Sequence, residues 1–81
     1  MDIEFINSFY AGRVYQFYLD NEEELLKGYI TELNFLVPKI EGIEISKLKK
    51  ILKNLIGDNT LIKCSATPKR NGWRFNFKII S

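Results

Sequence analysis

Cys64 is the single thiol in a chain that contains no histidine. That absence removes the usual proton shuttle and metal ligand near neutral pH, and one Cys without His cannot build a zinc site. Cys64 falls on the apolar side of a predicted strand, where a thiol is ordinarily inert packing. Glu22, Glu23 and Glu24 stand in a row, but successive helical residues fan out around the axis. Their expected role is to complement the positive end of a helix dipole. The glycines are isolated, so no phosphate-cradling loop and no nucleophile elbow is formed. No catalytic residue, cofactor or metal is expected, and the chain reads as a non-enzymatic binding protein.

The charges carry more information than the net value of +2. Residues 1–45 hold nine acids against three bases, and residues 46–81 hold nine bases against one acid. Such asymmetry points to an anionic partner for the basic half. Lys63, Lys69, Arg70, Arg74 and Lys78 surround a short turn, and Lys47, Lys49, Lys50 and Lys53 line one side of a predicted helix. Phosphate contacts of this kind are independent of base sequence. The primary expectation is therefore nucleic-acid binding, DNA or RNA, through the C-terminal hairpin and the lysine-rich helix. A merely solvated face is the plainer account of the same lysines. If that helix lies across the apolar side of the sheet, the two basic surfaces end up on opposite sides of the fold.

Trp73, Phe75 and Phe77 alternate in the run RNGWRFNF, which resembles the RNP1 pattern of RNA-recognition modules. The resemblance implies strand aromatics stacking on bases. Phe75 and Phe77 are expected in the core, while Trp73, next to the turn, is the exposed stacking candidate. The alternative reading is a modulator or inhibitor that binds a larger, basic-grooved protein. It uses the acidic surface of Glu22, Glu23, Glu24 and Glu32, with Phe35 as an off-stripe aromatic anchor.

These residues require positioning elements. Leu25, Leu26, Tyr29, Ile30, Leu33, Leu36 and Val37 follow the i, i+3, i+4 rule, which predicts a helix from about Glu22 to Val37, stopped by Pro38. Gly28 weakens its middle and Phe35 points off its stripe. A second helix is predicted over Lys47–Ile56, with Ser46 as N-cap and Gly57 as C-cap. Asn71-Gly72 predicts a two-residue type I′ hairpin loop. That pairing places Cys64, Ala66 and Pro68 with Phe75, Phe77 and Ile79 on one face, and Ser65, Thr67 and Lys69 with Arg74, Asn76 and Lys78 on the other. Residues 3–19 are rich in aromatic and β-branched types, which favours two strands turning near Ala11-Gly12. The resulting expectation is an α+β fold, ββααββ, with an antiparallel sheet packed on two helices. If residues 3–19 are helical instead, three helices precede the hairpin, approaching a winged-helix arrangement.

Length and composition bound these readings. Eighty-one residues suit a single domain with a small core, for which dimerisation or a tight partner is a natural support. The N-terminus lacks a basic segment followed by a long apolar one, and no apolar run reaches membrane-spanning length, so no export signal and no membrane partner is expected. An unpaired Cys in that setting suits a reducing, cytoplasmic compartment. The abundance of Ile, Lys, Asn, Phe and Tyr suits a viral, phage or mobile-element product.

Overall fold

The computed structural model describes residues 2–57 and 61–80. It is an α+β fold with the order α1 (Ile3–Leu26), β1 (Glu32–Pro38), α2 (Ile45–Ile56), β2 (Ile62–Lys69) and β3 (Gly72–Ile79). The three strands form one antiparallel sheet in the order β1-β3-β2. The class agrees with the expectation from sequence; the ββααββ order and its three-helix alternative do not.

The first correction lies at residues 3–19, which are helical and open a helix of 24 residues, about 36 Å long. Asp2 caps it through its carboxylate, which accepts the Glu4 N–H at 3.0 Å. Asn7, Ala11, Val14, Tyr18 and Leu25 are buried along one side. Aromatic content favours strands, but burial of a continuous 3.6-residue stripe outweighs that local preference.

The second correction is that no helix runs from Glu22 to Val37. Gly28, with φ +79°, is the residue that ends α1. Its N–H donates to the Leu25 carbonyl at 3.2 Å, and the Tyr29 N–H donates to the Glu24 carbonyl at 2.9 Å. This pair of bonds is a Schellman stop, for which glycine is the favoured residue. Beyond it, Leu33, Phe35 and Val37 point inward while Glu32, Asn34 and Leu36 point out. Phe35, anomalous on a helical wheel, is regular in a strand.

α2 starts two residues earlier than expected. Its N-cap is Glu44 rather than Ser46, and Glu44 makes no side-chain capping bond. The fully buried Asn7 anchors this start instead, since its Oδ1 accepts the Glu44 N–H at 2.8 Å and its Nδ2 donates to the Gly42 carbonyl at 2.9 Å. A tertiary bond thus replaces the local cap.

The hairpin forms with its two faces sorted as expected, but its register is shifted by two residues. Lys69 pairs with Gly72, Ala66 with Phe75 and Cys64 with Phe77, so the loop is Arg70-Asn71. A shift of two leaves every side chain on the same face. The loop residues have negative φ, which excludes the type I′ turn. Gly72 serves a different purpose, because a Cβ there would meet the Val37 carbonyl oxygen at 2.0 Å. β1 crosses that position too closely for any side chain.

α1 covers the inner face of the sheet, with Tyr18 packed on Phe77 (ring centroids 5.1 Å apart) and Phe17 on Phe35 (5.4 Å). Phe75, Phe77, Val37, Leu48 and Leu52 are buried at the centre. α2 packs chiefly against α1 and stands beside β2. Among the described residues no helix is long and apolar enough to cross a membrane.

Candidate functional site

The outer face of the sheet has no helix on it, and the register fixes its layout. Glu32, Lys78 and Lys63 form one row across the strands; Asn34, Asn76 and Ser65 form the next; Leu36, Arg74 and Thr67 form a third; Pro38, Gly72 and Lys69 close the face. Lys63, Lys69, Arg74 and Lys78 are all exposed, and Arg70 is exposed at the hairpin tip. The four strand cations therefore share one surface, with Arg70 at the hairpin end of it. At 3.3 Å per strand residue, Lys63 and Lys69 lie about 20 Å apart along β2.

The one carboxylate on this face is held by a polar network. Asn76 Nδ2 donates to Glu32 Oε2 and to Asn34 Oδ1, both at 2.8 Å, and Asn34 Nδ2 donates to Glu32 Oε1 at 3.3 Å. The Asn76 bond, seconded by Asn34 and by the charge of Lys78, holds the Glu32 carboxyl below its ordinary range. Glu32 thus remains ionised and pairs with Lys78 at 3.6 Å. Lys63, Lys69, Arg70 and Arg74 form no ion pair among the described residues.

Trp73 requires a correction. It lies on the inner side of β3, half-buried against the core and paired with Val37 and Pro68. It faces a groove beside α2 with Ala66 and Ile45, away from Arg74. The stacking role expected from RNGWRFNF would need it on the opposite face, so Trp73 does not share the cationic surface. Phe75 and Phe77 are core residues, as expected.

The lysines of α2 also sit differently from the expectation. Lys47 pairs with Glu44 at 3.4 Å. Lys49, Lys50 and Lys53 rim a cavity of about 450 Å³ whose floor includes Leu52, Ile56, Ile62 and Cys64. α1 takes the place across the sheet that the sequence allowed for α2, and α2 stands beside β2. Both basic sets consequently border β2, one on each side of the strand. The groove between α2 and β2 is the feature sequence reasoning missed. Its signal was the spacing of Lys49 and Lys53, three residues before Leu52 and Ile56 respectively, which puts them at the border of the apolar stripe.

Cys64 lies on this inner side. Burial pushes its thiol up to about 11, and only a weaker opposing pull comes from Lys49. A reactive thiolate needs the reverse shift. Among the described residues no group of three Cys, Asp or Glu side chains is placed to hold a metal ion.

The acidic candidates are dispersed. Glu22, Glu23 and Glu24 occupy the last turns of α1, the negative end of the dipole and not the positive end expected. Glu22 accepts the Tyr18 hydroxyl, and Glu23 pairs with Lys27 at 2.6 Å. Glu32 belongs to the basic outer face, and Phe35 is half-buried on the inner face against Phe17. Glu22–Glu24, Glu32 and Phe35 therefore do not make one surface. No protein-family model, no curated protein and no solved structure matches this chain.

Proposed function

We propose that this chain is a non-enzymatic nucleic-acid-binding domain that holds a phosphate backbone on the outer face of its sheet. The observation that carries this reading is the gathering of Lys63, Lys69, Arg74 and Lys78 on one uncovered face, with Arg70 exposed at the adjoining hairpin tip. Glu32 offsets only Lys78, so the remaining four are available for phosphates. The span of about 20 Å along β2 suits several consecutive phosphates of one strand. Ser65 and Thr67 lie between the cations and offer hydroxyl donors to sugar or phosphate oxygens. Trp73 has no part in this surface, so affinity rests on charge and shows little base preference.

The test is fluorescence anisotropy with labelled single-stranded DNA, RNA and duplex over a salt series. With four to five phosphates engaged, single-strand affinity is expected to fall about 50- to 130-fold between 50 and 200 mM salt. The double variant R74E/K78E should abolish binding while leaving the fold intact, because both side chains are exposed. No binding to any of the three probes at about 50 mM salt refutes the proposal.

A further inference from the structure

The groove between α2 and β2 has features that the outer face does not use. Two adjoining cavities of about 450 and 490 Å³ share Lys49 and run alongside β2, each within the size range of ligand pockets. Ile56, Ile62 and Cys64 floor one end, and Ala66 and Trp73 the other. Lys49, Lys50 and Lys53 rim the groove, and no carboxylate lines it among the described residues.

β2 is an edge strand, hydrogen-bonded to β3 on one side only. Among the described residues, no backbone hydrogen bond from residues 63–69 reaches any element other than β3. The middle of this edge, Cys64-Ser65-Ala66-Thr67, carries no charge and no proline, the features that usually block strand addition. Its ends carry Lys63 on one side and Pro68 with Lys69 on the other, which confines an added strand to the middle. Antiparallel pairing of β2 with a second copy centred on Ala66 would set Lys63 opposite Lys69 at both ends, and like charges directly opposite are unfavourable. With lysines at both of its ends and no carboxylate among the described residues lining the groove beside it, the edge favours an acidic strand.

We propose that an extended peptide of alternating acidic and apolar residues docks here by adding a strand to β2. Its apolar side chains enter the groove beside α2, and its carboxylates, which alternation turns to the opposite face, meet Lys63 and Lys69 along the edge. Main-chain bonds supply affinity and the two cavities supply specificity. This site uses the α2 side of β2 and is independent of Arg74 and Lys78 on β3.

The test uses two fluorescein-labelled, acetylated octapeptides, one alternating Glu and Val and the other alternating Lys and Val, with anisotropy and amide NMR as readouts. The acidic peptide is expected to bind saturably and the basic one not to bind. Amide shifts should concentrate on residues 63–67 and along α2. K63E/K69E, both exposed positions, should weaken the acidic peptide at least tenfold, whereas R74E/K78E should leave it within about twofold. Equal affinity for the two peptides, absence of saturable binding, or shifts confined to the outer face or α1 would overturn the proposal. So would sedimentation showing that the free chain already self-associates through β2.

Discussion

Replacing Gly72 by alanine tests the join between β1 and β3, on which the layout of the outer face depends. At φ +155°, a Cβ at this position would lie 2.0 Å from the Val37 carbonyl oxygen, 3.0 Å from its carbon and 3.1 Å from Pro38 Cα. Ordinary contact begins at 3.4 Å, so the strands must part by roughly 1.4 Å at this end. A hydrogen bond at 3.0 Å, such as that from the Lys39 N–H to the Asn71 carbonyl, does not survive such a displacement. Losing that bond and one neighbouring ladder bond costs about 2 kcal/mol, and the strained backbone adds about 1 kcal/mol for a residue with a Cβ. The expected loss of about 3 kcal/mol is a large share of the ~4–12 kcal/mol available to a domain of this length. Gly57→Ala is the matched control, since φ there is +89° but the space is open, and it should cost only the backbone part, about 1 kcal/mol. Urea unfolding followed by circular dichroism should separate the two midpoints by about 2 M at a slope near 1 kcal/mol/M. If both variants unfold within about 0.5 kcal/mol of each other, the close crossing of β1 over Gly72 is wrong.

Asn7→Ala removes the bonds to the Gly42 carbonyl and the Glu44 N–H, leaving both without that partner at the start of α2. The expected cost is about 2 kcal/mol, with hydrogen exchange accelerated over residues 44–48. The Cys64 thiol, raised from an ordinary 9.0 to about 11, should react with iodoacetamide at pH 8 about 100-fold more slowly in the folded than in the urea-unfolded chain. Because the folded value is the higher one, the thiol's contribution to stability is complete below pH 9 and is lost as pH rises toward 11. Cys64→Ala should flatten that alkaline decline in urea melts. Glu32 behaves in the opposite sense. Its carboxyl is held below 4.5, so its contribution is present above that pH and is lost as pH falls through its lowered value. Asn76→Ala removes the largest cause and should return Glu32 toward 4.5 in a carboxyl-carbon NMR titration, whereas an unchanged midpoint would remove the Asn76 bond as the cause.

The outer face was legible in advance because a two-residue period needs only local information. Ser65, Thr67, Lys69, Arg74, Asn76 and Lys78 alternate with apolar neighbours, and a register shift of two cannot exchange the faces. The lysine helix was legible for a similar reason, with an apolar stripe through Leu48 and Leu52 opposite its charges and Gly57 at its end. Residues 22–37 were misread because Leu33, Leu36 and Val37 satisfy a helical spacing as well as a strand. The deciding signals were Gly28, which closes α1, and Phe35, which a helix strands on the wrong side and a strand turns inward.

The alternation of residues, the capping glycine and the split of charge between the two halves were thus determined by the sequence itself, since each depends on neighbours a few positions away. Tertiary structure alone decided that α1 takes the inner face of the sheet and that α2 is displaced beside β2. It also decided that Trp73 is packed against the core beside α2 and that Gly72 serves a crossing strand rather than a turn. Those outcomes rest on contacts between residues some 35 or more positions apart, such as Val37 with Gly72 and Asn7 with Glu44. Their energy comes from shared burial, which no local pattern encodes.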